Sequence, residues 1–277
     1  MSPPNDAARM RAVFDPLATA ASASMPAPGF LSSTLSKVIQ NKPVGDVRVP
    51  KEIGRAFGSA SVDMWHRSIH SFLVSCAISH SSPVWSSVAG YYASHYAVRA
   101  IAHALGLIQL HSAKRIVTFQ SITQCIVSAK RGNDREHQYY WNAVKSSDLI
   151  STDPWFCYNK NDGRADVSHR DFANYMDHVG LFPNSGLLPK DELGFRVDRI
   201  SKLNITDPPT PQSDSFPRVL DVQILAYRRL VKYRRLMDEH VGNANRYWRV
   251  HRQPTWVEPY VNFQIATSDV LVEKKSS

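Results

Sequence analysis

The sequence predicts a mainly α-helical protein: a helical bundle with an antiparallel helix hairpin at its core, a small β-hairpin and irregular termini. Three observations carry this. Between residues 61 and 105 apolar side chains recur in two runs at three- and four-residue steps, separated by a short Ser-Pro turn. A further stripe of this kind occupies 218–241. The 277 residues are 43% hydrophobic, enough for a sizeable core and too many for a wholly disordered chain.

Taken in order, residues 1–58 read as a loosely ordered N-terminal arm. It holds one short helix within 6–20, an Ala/Ser/Pro-rich stretch to about 30, and interruptions at Pro43 and Pro50. The first strong helix covers 61–79, with Val62, Trp65, Ile69, Phe72 and Cys76 on one face and Ser59 or Ser61 as its cap. Ser81-Ser82-Pro83 turns the chain into a second helix over 84–105. There Val84, Val88, Tyr91, His95, Val98, Ala102 and Leu105 share a face, and Gly106 follows as a C′ glycine. Ala89, Gly90, Ala93, Ser94 and Ala97 are small, so a neighbouring helix can approach closely.

Two β-like runs, 115–119 and 124–127, predict a hairpin. Residues 137–144 read as helical and end before Asp153-Pro154; a third clear helix covers 165–178 after a turn at 159–163. A Pro-rich connection, 182–217, leads to the fourth helix at 218–241, closed by Gly242-Asn243. Residues 256–265 look like a terminal flap. The domain reading is therefore an arm (1–58), a helical domain (59–181), the connection (182–217), and a basic helix with flap (218–277).

The formal net charge of +9 points to an anionic partner, nucleic acid first. No run approaches roughly 18 apolar residues, so no membrane partner is expected. Cys76, Cys125 and Cys157 form no Cys-x2-Cys pair, which disfavours a zinc ribbon or a disulfide framework, and the start lacks a signal-peptide pattern. The expectation is a cytoplasmic protein without a cofactor or metal. His66 and His70 stand at i, i+4, but two ligands do not complete a zinc shell. P-loop, Gly-x-Gly-x2-Gly and Gly-x-Ser-x-Gly motifs do not occur, which argues against nucleotide-driven motors, Rossmann dehydrogenases and α/β-hydrolases.

The stretch Val88-Ala89-Gly90-Tyr91-Tyr92-Ala93-Ser94-His95-Tyr96-Ala97-Val98-Arg99-Ala100-Ile101 resembles the tyrosine-pair helix of the HEPN family, the higher eukaryotes and prokaryotes nucleotide-binding domains. Tyr91, Tyr92, Ala93, Ala97, Arg99 and Ala100 fit that pattern; the family's Phe-His pair is replaced by His95-Tyr96. The resemblance covers about 61–180. It implies an all-α, frequently dimeric bundle and RNA as partner. Many members are metal-independent ribonucleases carrying an Arg, four to six residues, then a His. It also implies a place in toxin–antitoxin or anti-phage defence, with an antitoxin or regulatory protein as partner.

The chemistry behind such a pair is simple. An Arg forks onto the scissile phosphate, and a His with an ordinary pKa near ~6.5 moves a proton to or from the ribose. Five pairs fit the spacing: Arg131/His137, Arg164/His169, Arg234/His240, Arg235/His240 and Arg246/His251. Chance alone supplies roughly 2.5, so context must choose. The segment 163–175 opens a predicted helix downstream of the tyrosine pair. It holds Arg164 and His169 and, overlapping them, Arg170, Asp171 and Tyr175. These five are the candidate catalytic residues, with Asp171 orienting the site; the alternative is an ordinary solvated helix start.

Two further sets stand out. His95, Arg99 and His103 recur every four residues along the second helix, either as a basic stripe facing phosphate, as a partly buried polar face or as a dimer contact. Arg228, Arg229, Lys232, Arg234 and Arg235, continued by Arg246 and Arg249, make the candidate nucleic-acid-binding surface, interleaved with Tyr247 and Trp248. The competing reading of that run is a solvated helix face whose Tyr227, Tyr233 and Trp248 belong to the core.

Overall fold

The protein is described from a computed structural model covering residues 5–18, 30–39, 42–110, 114–129, 136–157, 190–205, 208, 219–252 and 254. Among these it is mainly helical with a small antiparallel sheet. The helices are α1 (Asp6–Phe14), α2 (Phe30–Ile39), α3 (Lys51–Ala77), α4 (Pro83–Ala104), α5 (Glu136–Lys145), α6 (Pro154–Cys157), α7 (Lys190–Ser201), α8 (Val219–His240) and α9 (Arg246–His251). The strands are β1 (Gly45–Arg48), β2 (Leu107–Leu110), β3 (Arg115–Ser121) and β4 (Gln124–Ala129), ordered β1-β4-β3-β2 with every pair antiparallel.

The α3–α4 hairpin is the spine, and serines hold it together. Ser61, Ser68 and Ser75 recur every seven residues along α3. Their hydroxyls donate to the carbonyls of Ala100 (2.7 Å), Ala93 (2.6 Å) and Ser86 (2.7 Å), which step back along α4 by sevens. Ser86 Oγ donates in return to the Ser75 carbonyl at 2.6 Å. A seven-residue step brings the same helical face back every two turns, so the three bonds form one ladder. Side chains this small let the backbones approach closely enough for hydroxyl-to-carbonyl bonds. Ser61 is thus buried inside α3 rather than a cap, because α3 begins at Lys51, ten residues before the predicted start.

Helix α8 closes the bundle over both arms of the hairpin. Tyr233 Oη lies 2.8 Å from Ser61 Oγ, Gln223 Nε2 donates to the Ser75 carbonyl at 3.1 Å, and Trp65 Nε1 donates to the Leu230 carbonyl at 3.2 Å. Gly90 admits Val222: a Cβ there would stand 2.8 Å from Val222 Cγ1. Trp65, Tyr233 and Trp248 of α9 pack ring against ring, with Trp65 and Trp248 centroids 5.4 Å apart. α4 ends as expected at Gly106, whose φ of +74° places its N–H on the His103 carbonyl at 2.9 Å.

The predicted hairpin is present as β3 and β4, but it is the centre of a four-stranded sheet. Val47, Ile108, Val117, Phe119, Cys125 and Val127 form its buried side. Its tip rests on α3, where Gly54 leaves room for the Ile122 carbonyl.

The described parts of residues 1–58 are packed against the bundle and sheet. Met10, Val13, Phe14 and Leu17 are buried, as are Leu35 and Ile39 of α2, and β1 pairs with β4. Asn245 Nδ2 donates to the Phe14 carbonyl at 2.8 Å, tying the N-terminal helix to the start of α9. The predicted helix 165–178 and the flap 256–265 lie outside the described residues.

Candidate functional site

The polar face of α4 meets the start of α5. Because α4 is enclosed by α3, α8 and α5, its polar residues at four-residue intervals are drawn inward. Tyr91, His95 and His103 are all buried, and Arg99 is half-buried. His137 and Tyr140 of α5 pack against them. Tyr91 Oη lies 2.7 Å from His137 Nδ1. The His95 and His137 rings are 4.2 Å apart, and Tyr91 stacks parallel to His95 with centroids 6.3 Å apart. The Arg99 guanidinium sits over the Tyr140 ring, 5.1 Å from its centroid.

Further along, Tyr140 Oη accepts from the Gln109 N–H at 3.1 Å and lies 3.4 Å from His103 Nε2. Burial, joined by the charge of Arg99 and opposed by a bond with the Ala60 backbone, pushes the His103 imidazole down to about 3. His103 is therefore neutral at physiological pH and serves the structure. Of the predicted stripe, His95 and His103 are buried polar residues and Arg99 stands at the edge. His137 is partly buried, and it joins the stripe to a second chain segment.

Chemically, the arrangement places an imidazole, held through one ring nitrogen by a phenol, against Tyr91 and His95 on the helix that also carries Arg99. An imidazole transfers protons near neutral pH, and fixing Nδ1 defines Nε2 as the working atom. His137 was visible in the sequence only as one of five Arg–His spacings. Its partner in that spacing, Arg131, lies outside the described residues, as do Arg164, His169, Arg170, Asp171 and Tyr175.

The basic residues of the C-terminal third are dispersed. Arg229 is fully buried: its Nε donates to the Trp155 carbonyl at 2.9 Å, its Nη1 donates to Ser94 Oγ, and its guanidinium lies 4.4 Å from the Trp141 ring centroid. It joins α8 to α4, α5 and α6 and cannot reach a backbone phosphate. Arg234, also buried, pairs with Asp238 at 3.6 Å, and Lys232 pairs with Asp153 at 3.0 Å. Arg228 donates to the Leu203 carbonyl and lies over Trp155. Arg235 is half-buried; Arg246 and Arg249 are exposed on α9. The seven do not form one phosphate-tracking face. Tyr247 and Trp248 are buried rather than stacking platforms.

His66 and His70 line a groove of about 370 Å³ with Arg67, Ser71 and Tyr96. His66 Nε2 is 2.9 Å from the His251 carbonyl, and burial lowers the pKa of both His66 and His251. Among the described residues no group of three or more His, Cys, Asp or Glu side chains is arranged to hold a metal, and no helix is long and apolar enough to cross a membrane. Burial pushes the Cys76 and Cys125 thiols up to about 12, so neither is a poised nucleophile.

No family model matches the chain, and no curated protein or solved structure matches it.

Proposed function

We propose that this chain binds RNA and cleaves it by attack of the ribose 2′-hydroxyl on the adjacent phosphate, breaking the bond to the 5′-oxygen of the next nucleotide, which leaves as a hydroxyl, and forming a 2′,3′-cyclic phosphate. His137 takes or returns the proton through Nε2, Tyr91 holds its ring, and Arg99 faces the phosphate. The observation that carries the reading is the 2.7 Å contact between Tyr91 Oη and His137 Nδ1, which joins a histidine of α5 to the helix that carries Arg99. The HEPN resemblance adds the expectations of metal independence, a homodimer, a regulatory antitoxin-type partner and a defence role. Incubating the protein with total RNA in chelator tests the reading. Fragments ending in 2′,3′-cyclic phosphate are expected; intact RNA removes the catalytic claim. Arg164→Ala and Arg170→Ala variants report whether the 164–175 segment shares the work.

A second reading, binding without cleavage, is favoured by the exposure of Arg246 and Arg249 together on α9. Affinity for RNA that falls steeply with salt, in the absence of cleavage, would establish it. Affinity that ignores salt would leave a protein-interaction scaffold.

A further inference from the structure

A groove separate from the α4–α5 site lies between α7, the α3–α4 turn and the first turn of α8. It encloses about 460 Å³. Glu192, Phe195, Arg196 and Arg199 line it from α7, spaced at three- and four-residue steps on one helical face; His80 and Leu220 line it from the other elements. The buried side of α7 consists of Leu193, Val197 and Ile200. Phe195 is therefore anomalous: it is 72% exposed on a helix that has already spent its apolar face on the core. Leu220, beside it in the groove, is also exposed.

The charges are unbalanced. Arg196 Nη1 donates to His80 Nε2 at 2.9 Å, and its guanidinium makes no other hydrogen bond or ion pair among the described residues, so further N–H donors face a ligand. Arg199 is exposed and makes no ion pair or hydrogen bond among the described residues. Glu192 is the one carboxylate among the described residues of the lining. Two guanidinium groups favour a planar or tetrahedral oxyanion, and phosphate matches their fork. An exposed ring beside them offers a stacking platform for a flat apolar body. The volume suits one small ligand rather than a helix or an extended peptide.

We propose that this groove binds a nucleotide unit, its phosphate on Arg196 and Arg199 and its base against Phe195 and Leu220. The unit is a free mononucleotide or one residue of an unpaired RNA strand. The site stands on its own residues and does not depend on cleavage at His137.

Calorimetry on the full chain tests it, with adenosine 5′-monophosphate, inorganic phosphate and a 2′-O-methyl oligoadenylate as probes. The monophosphate or the oligomer should bind, and Phe195→Ala and Arg199→Ala should each weaken binding at least about tenfold without lowering the melting temperature, since both side chains are exposed. His137→Ala should leave the affinity unchanged, which separates this site from the proposed reaction centre. Tighter binding of the oligomer assigns the pocket to RNA, and equal or weaker binding assigns it to a free nucleotide; both support the proposal. Failure of both nucleotide probes to bind, equal affinity for phosphate and the monophosphate, or stronger competition by a glutamate-rich peptide than by the tighter of the two nucleotide probes would each overturn it.

Discussion

The Tyr91 hydroxyl and His137 Nδ1, 46 residues apart in sequence, meet at 2.7 Å where α4 faces the start of α5. This bond fixes the orientation of a partly exposed imidazole from a buried phenol. Tyr91→Phe keeps the ring and removes only the hydroxyl. The fold should survive with a loss of about 1 kcal/mol. RNA cleavage should slow about tenfold through kcat, with KM unchanged, because Tyr91 positions the histidine and does not hold substrate. Steady-state kinetics with a short RNA substrate checks this; a change confined to KM would place Tyr91 in substrate binding instead.

The serine ladder between α3 and α4 predicts an asymmetry between shrinking and enlarging substitutions. Ser68→Ala removes one hydroxyl-to-carbonyl bond and should cost about 1 kcal/mol. Ser68→Leu must push apart backbones that the 2.6 Å bond holds together, and should cost about 3 kcal/mol or prevent folding. Urea unfolding of the two variants measures the difference. Equal effects would mean that the helices do not approach as closely as the ladder requires.

Arg229 and Arg249 should behave oppositely although both belong to one basic region of the sequence. Arg229→Ala leaves the Trp155 carbonyl and Ser94 without their guanidinium donor inside the core and should cost about 3 kcal/mol or more. Arg249→Ala, on the exposed face of α9, should change stability by less than about 0.5 kcal/mol while weakening RNA binding and flattening its salt dependence. Thermal melts paired with filter binding separate the two roles.

Acid should destabilise the fold through His103. Its folded pKa is depressed to about 3 by burial and by Arg99, whereas the unfolded imidazole titrates near 6.5. Below pH 6.5 the unfolded chain therefore binds a proton that the folded chain refuses. Stability falls as pH drops, by about 1.4 kcal/mol per unit from this one group, or about 2 kcal/mol between pH 6.5 and 5. Burial also lowers His66 and His251, which act in the same direction. Urea midpoints for the wild type and His103→Gln at pH 7 and pH 5 test this: the variant should lose a smaller increment over that interval.

The helices were legible because their apolar period survives in the sequence: α4, α8 and the core of α3 lie where the periodicity places them. The first ten residues of α3 were not, since Gly54 and Gly58 weaken the helical signal; the structure uses both for close contact, Gly54 with Ile122 and Gly58 with Leu17. β1 and β2 have four residues each, too short for alternation to register, and β2 follows directly on the α4 stop. Arg229 sits among charged neighbours in the sequence, yet it continues the stripe Val222, Ala226, Arg229, Tyr233 at helical steps, and all four side chains are buried. Within the candidate site, the α4 half was visible as a four-residue repeat. The α5 half depends on a contact across the sheet-bearing segment, which no local pattern encodes.

Single-turnover cleavage of a short RNA in chelator by wild type and His137→Ala decides whether His137 transfers the proton. The variant should lose about a hundredfold or more in rate, with RNA affinity and melting temperature unchanged. Full activity in His137→Ala, together with its loss in Arg170→Ala, would exclude His137 and move the chemistry to the 164–175 segment.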